Sequence, residues 1–228
     1  YRLYTVYHLK KLKVLDGQPI TQAEHQEADE KFSGKITLEF LEDKLGPSPS
    51  SYNFRTVDLS GQGLKDLGHL LTDDMFPSLR ELNLDGNPLN DIRQLGPLSK
   101  LLALRLNKTK LDLAKGMLAE GDRRGGVSAM PNLQVLEIAN SGITDISHFA
   151  RLPLPTLRIL HLQGNEITRV EGLSQLEQLR ELVLDKNKVK QFDEHSFEGL
   201  KNLRELRVED NGLKSLDCIG PLPRLRAL

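Results

Sequence analysis

LRELNLDGNPL, residues 79–89, puts Leu79, Leu82, Leu84, Asn87 and Leu89 in an L-x-x-L-x-L-x-x-N-x-L frame. The frame recurs along nearly the whole chain. Leu101, Leu104, Leu106, Thr109 and Leu111 repeat it, then Leu133, Leu136, Ile138, Ser141 and Ile143, then Leu157, Leu160, Leu162, Asn165 and Ile167. Leu179, Leu182, Leu184, Asn187 and Val189 follow, and after them Leu203, Leu206, Val208, Asn211 and Leu213. A weaker copy, Phe54, Val57, Leu59, Gln62 and Leu64, comes first, and Leu225 and Leu228 open another. Leu82 and Leu84 alternate with polar neighbours, the period of a short strand with one buried face. The Asn then turns the chain, and its amide is suited to bond the N–H and C=O groups that neighbouring turns would otherwise bury unpaired. Gln62, Thr109 and Ser141 replace it in three coils, which should be less well bonded.

This is the leucine-rich-repeat pattern. The repeat starts lie 22 to 25 residues apart, except for the 32 between Leu101 and Leu133. Return halves carry apolar residues three apart: Ile92, Leu95, Leu98; Ile146, Phe149, Leu152; Val170, Leu173, Leu176; Leu216, Ile219, Leu222. That spacing suits 3₁₀ turns better than long helices. The fold class expected is α/β: a right-handed leucine-rich-repeat solenoid, or horseshoe, of about seven repeats over residues 52–228. A parallel β-sheet lines its concave side and 3₁₀ or short helical turns its convex side, and the last repeat is cut short.

In such a solenoid each coil packs only on its neighbours, which suits a chain of 228 residues with 38% hydrophobic content. Charge is balanced, 31 basic against 32 acidic residues, so bulk charge gives no reason to expect direct nucleic-acid binding or an anionic membrane surface. No apolar run approaches the roughly 20 residues that span a bilayer. The single cysteine, Cys218, fits a small near-core residue in a reducing, cytoplasmic compartment.

Residues 1–51 depart from the frame. Asp16-Gly17 signals a turn, and Thr21-Gln22-Ala23-Glu24 is a capping box that should open a helix over about 22–32. KITLEFLEDKL, residues 35–45, reads as a second helix whose Ile36, Phe40, Leu41 and Leu45 should cover the first coil, and Pro47 to Ser51 reads as a linker. The opening YRLYTVYHLKKLKVLDGQPITQAEHQEADEKFSGK resembles the C-terminal cap of the short intracellular class of leucine-rich-repeat proteins. That class includes the spliceosomal A-prime protein, a nuclear regulatory subunit of protein phosphatase 1, an axonemal dynein light chain and ciliary assembly proteins. The resemblance implies that residues 1–33 close an upstream repeat block, that 34–51 link it to the block at 52–228, and that this is part of a longer, multi-block chain, as in ciliated cells.

Chemistry is sparse in the sequence. The six histidines show no metal-ligand spacing, no serine sits in a nucleophile elbow, and no cofactor motif is present. The longer coil carries AKGMLAEGDRRGGVSAM, in which Ala114 to Glu120 should make a helical turn or two and 121–126 a mobile loop. It lacks the G-x-x-x-x-G-K-[ST] spacing of a phosphate loop. Asn107-Lys108-Thr109 matches a glycosylation sequon but falls at a strand end.

The remaining place for function is the concave face. Ala103, Val135, Ile159 and Val183 should form an exposed apolar island there, with His161 inside it. Arg105, Glu137, Asp185 and Arg207 belong to its charged surround. An apolar centre with a polar rim is the anatomy of a protein interface. The expected function is a non-catalytic, monomeric scaffold that docks a protein on this face. The resemblance adds a cilium- or axoneme-associated context, and as alternatives a phosphatase-1 targeting module or a component of an RNA–protein particle.

Overall fold

The computed structural model describes residues 1–47, 50–116, 130–219 and 222–228. Seven three-residue strands form one parallel sheet in chain order: β3 (Thr56–Asp58), β4 (Glu81–Asn83), β5 (Ala103–Arg105), β6 (Val135–Glu137), β7 (Ile159–His161), β8 (Glu181–Val183) and β9 (Glu205–Arg207). Register follows the repeat frame without a slip, Leu82 against Leu104, Leu136, Leu160, Leu182 and Leu206 in turn. Each middle residue points inward and is at most 1% exposed, and the residues on either side face out. One continuous apolar cluster runs from Ile36 to Leu222.

The return halves pack the other edge of that cluster. Arg93–Leu95, Ser147–Arg151 and Asp217–Ile219 are 3₁₀ turns, as the three-residue spacing suggests, whereas Val170, Leu173 and Leu176, at the same spacing, lie in turns that form no 3₁₀ helix. Ile92, Leu95, Leu98, Ile146, Phe149, Leu152, Val170, Leu173 and Leu176 are at most 1% exposed. The last triad departs from the expectation: Leu216 is exposed and Ile219 half-buried, since among the described residues only the start of a further coil, at Ala227, pairs beyond this one. Cys218 is half-buried against the core. Phe192 and Phe197 meet edge to face at 4.8 Å, so the repeat from Leu179 to Leu203 uses its extra length to bury a ring pair. In the longer coil, α4 (Leu113–Gly116) begins the helical turn; the remainder of that expectation, including the loop at 121–126, lies outside the described residues, as do residues 48 and 49 of the linker.

The asparagine column bonds coil to coil. Asn87 Oδ1 accepts the Leu64 N–H at 3.0 Å, and its amide donates to the Leu59 and Leu84 carbonyls at 2.8 and 2.9 Å. Asn187 and Asn211 repeat the arrangement. Asn165 does more, accepting two N–H groups, from Ser141 at 2.9 Å and Ile143 at 3.1 Å. Its amide donates to Ile138 and Leu162 at 2.8 Å each. The substitutes are poorer. Gln62 is exposed and reaches only the Ser60 carbonyl, while the Thr109 and Ser141 hydroxyls share the Leu106 carbonyl.

At the N-terminus, α2 (Gln22–Phe32) has both halves of the capping box. Asp16 and Gly17 take positive φ and join β1 (Val14–Leu15) to β2 (Gln18–Pro19) as a hairpin. Residues 2–8, for which no helix is expected above, form the helix α1 (Arg2–His8). Its β-prone Tyr and Val content is overridden by packing: Val6 and Ala28 are buried and Tyr7 meets Phe32 at 5.8 Å. The helix α3 (Leu38–Leu45) begins later than the expected residue 35, after its Thr37 cap, and sets Leu41 into the solenoid core with Phe40 and Leu45 against it, while Ile36 reaches the core from the extended residues before the helix. The Gly34 carbonyl, accepting from Lys65 and Asp66 N–H groups, ties this segment to the first coil.

The Arg2 guanidinium donates to Glu24 at 2.7 Å, and Thr21 N–H donates to the same carboxylate at 2.8 Å. These two bonds hold Glu24 at about 2, well below its ordinary 4.5. A carboxylate held low in the folded state stabilises above its unfolded value and loses that contribution as pH falls. The packing of α1 on α2 should therefore be intact above pH 4.5 and weaken between 4.5 and about 2. Amide exchange of α1 followed across that window should show this loss in the native chain and a flat profile in Glu24→Gln.

Candidate functional site

The outward residues of the sheet form three columns, because parallel strands in register place equivalent side chains about 4.8 Å apart. The first runs Thr56, Glu81, Ala103, Val135, Ile159, Glu181, Glu205; the second Asp58, Asn83, Arg105, Glu137, His161, Val183, Arg207. The third, just beyond the strand ends, runs Ser60, Asp85, Asn107, Ala139, Gln163, Asp185, Glu209.

Ala103, Val135 and Ile159 are register neighbours on three adjacent strands, all half-buried. They make an aliphatic row bounded by Glu81 on one side and Glu181 on the other. Val183 does not join them as an exposed member. It lies in the second column, 6% exposed, between the long side chains of His161 and Arg207 that screen it. His161 borders the row, and its Nε2 lies 2.9 Å from Glu181 Oε1. That contact was absent from the sequence reading, although the two residues are diagonal neighbours once the columns are drawn.

The charged surround is tied into pairs. Arg105 meets Glu137 at 3.4 Å, its neighbour in register. Arg207 meets Asp185 at 2.9 Å, and Asp185 also accepts the Glu209 N–H at 2.8 Å. Asp185, 7% exposed, thus joins consecutive coils rather than standing free. Asp85 does likewise for Asn107, accepting its N–H at 2.7 Å. The Asn107 amide bridges Asp85 and Glu137 at 3.2 and 3.1 Å, a structural use of the residue that heads the sequon. Asp58 accepts the Ser60 N–H, and this bond holds its carboxyl below the ordinary range.

The concave face is acidic out of proportion to the chain. Of 31 basic and 32 acidic residues, two arginines and eight carboxylates stand in the three columns, leaving 29 basic against 24 acidic elsewhere. Both arginines are already paired. Glu81, Glu205 and Glu209 make no ion pair with any described residue. Among the described residues, no group of three or more His, Cys, Asp or Glu side chains is placed to hold a metal ion, and no helix is long and apolar enough to cross a membrane.

A leucine rich repeat family model matches residues 131–189 and 177–228. The fold is a leucine-rich-repeat solenoid. An internalin of Listeria monocytogenes superposes on 76% of the chain, using 47% of its own, with a TM-score of 0.59 at 22% identity. Among curated proteins, Tsukushi of Xenopus tropicalis is 27% identical over 197 residues, 77% of this chain and 54% of its own. A protein phosphatase 1 regulatory inhibitor subunit homologue of Arabidopsis thaliana is 29% identical over 175 residues, 75% of this chain and 49% of its own. The solenoid thus spans about half the length of these two relatives. Chains of this kind are typically protein-interaction modules.

Proposed function

We propose that the solenoid is a non-catalytic scaffold that docks a protein partner on its concave sheet. The observation that carries this reading is the half-buried row Ala103, Val135, Ile159, three aliphatic side chains in register on a surface otherwise polar. Short strands fixed by buried leucines hold such a row rigidly, so docking orders few side chains and loses little entropy. An intracellular setting belongs to the same reading and rests on the lone, half-buried Cys218. The cap role of residues 1–33 belongs to it too, supported by the exposed Tyr4, Leu9 and Val14; a ciliary context rests on the cap resemblance alone.

Ile159→Asp is the test. Its partner set, recovered by affinity capture, should shrink to background while the variant keeps the native circular dichroism spectrum, because Ile159 faces outward and is only half-buried. Retention of every partner by a normally folded variant would remove the concave sheet as the docking face. A second reading, regulation of protein phosphatase 1, is favoured by the Arabidopsis relative; direct titration with the purified phosphatase catalytic subunit decides it. An acidic concave face argues against direct RNA contact, since phosphates need cations to replace their counterions.

A further inference from the structure

We propose that the occupant of the concave sheet is a basic peptide segment, carrying Lys or Arg on both sides of one apolar side chain. This inference rests on the docking reading above and supplies the chemistry of the partner. Charge is its first support. Eight carboxylates share the face with two guanidinium groups, each already paired within the sheet. The free carboxylates are concentrated where the aliphatic row ends: Glu81 before Ala103, and Glu205 beyond Glu181. Among the described residues, the Glu181 carboxylate meets only the His161 imidazole.

Geometry is the second support. From Glu81 to Glu181 is four strand steps, about 19 Å. An extended chain advances about 3.3 Å per residue, so a peptide lying across the strands would present cations roughly six residues apart. An apolar residue between them would fall on Val135 and Ile159. Like charges facing each other across an interface disfavour acidic partners, while a complementary potential speeds encounter. An acidic segment has no free cation to meet in the three columns, since Arg105 and Arg207 are both engaged.

The test uses the whole chain and three labelled peptides of about twelve residues, a length that spans the roughly 19 Å between the acids with residues to spare. One has two lysines six apart with a leucine between them; the second has serine for that leucine; the third has glutamate for both lysines. Fluorescence anisotropy should give the first at least roughly tenfold tighter binding than either of the others, weakening severalfold as salt screens the pairs. Glu81→Lys with Glu181→Lys should abolish that preference, and Ile159→Ser should reduce the first peptide to the level of the second. Equal or tighter binding of the glutamate peptide, still dependent on Ile159, would overturn the basic occupant and leave concave docking standing. Binding of none of the three would overturn it as well, and the capture experiment with Ile159→Asp then judges docking separately.

Discussion

Asn165→Ala should cost about 3–4 kcal/mol, against less than about 1 kcal/mol for Gln62→Ala in the same column. Asn165 is 4% exposed and its oxygen is the partner of two backbone N–H groups, Ser141 and Ile143. Neither has a substitute nearby, because the Ser141 hydroxyl is directed at the Leu106 and Ala139 carbonyls. The Ile138 carbonyl loses its donor too, while the Leu162 carbonyl keeps the amide of Asn187. Two orphaned donors and one orphaned acceptor, at about 1–3 kcal/mol each before relaxation, set the magnitude. Gln62 lies exposed and bonds only its own turn, so water replaces what it gives. Urea midpoints of the two variants, at unchanged denaturant slope, measure the contrast. Equal midpoints would mean that the asparagine column orders the turns without stabilising them.

Leu82, Leu104, Leu136, Leu160, Leu182 and Leu206 show what the sequence makes legible. Their two-residue alternation is a local signal, repeated at fixed distance, and a parallel sheet with one buried face is its direct consequence. The asparagine column and the three concave columns follow, since register is inherited from the repeat. What escaped depends on packing between coils. The Arg2–His8 segment carries no helix-favouring pattern of its own and is helical because it lies on α2. Val183 reads as exposed by alternation, but the size of its neighbours in register decides its burial.

The aspartate bonds that lead into the return turns also escaped, although a signal was present. Asp66, Asp91, Asp112 and Asp145 each precede an apolar residue and accept an N–H two residues on. That bond holds Asp145 below the ordinary carboxylate range; at Asp91 burial pushes the other way, and the Arg93 guanidinium, helped by the Arg93 N–H, outweighs it and holds the carboxyl low. In the candidate site, the aliphatic row could be drawn from the columns alone. The pairing of Arg207 with Asp185 and of His161 with Glu181 needed the diagonals as well, because each joins different columns on adjacent coils.

Gly199→Ala should cost about 2–4 kcal/mol, from a left-handed backbone worth about 1–3 kcal/mol and the shift needed to clear a packed neighbour. Gly199 has a φ of +79°, and a methyl group there would run into the Ser174 carbonyl oxygen of the preceding coil, with the Ser174 carbon and Cα at 2.8 and 2.9 Å. Backbone atoms fixed by Leu173 and Leu176 in the core cannot turn aside as a side chain would. Gly172 stands against Ser147 in the same way one coil earlier, where a methyl group would come within 2.6 Å of the Ser147 carbonyl oxygen, so close approach of successive turns is built into this side of the solenoid. Gly212 supplies the control. Its φ lies outside the left-handed region and a methyl group would meet only ordinary contacts, at 3.6 and 3.8 Å. Gly212→Ala should therefore be neutral or stabilise by up to about 1 kcal/mol through the unfolded chain. Thermal unfolding of both variants separates the two glycines. Should Gly199→Ala melt with Gly212→Ala, the coils are spaced by their side chains, and the close backbone approach at Gly199 sets nothing.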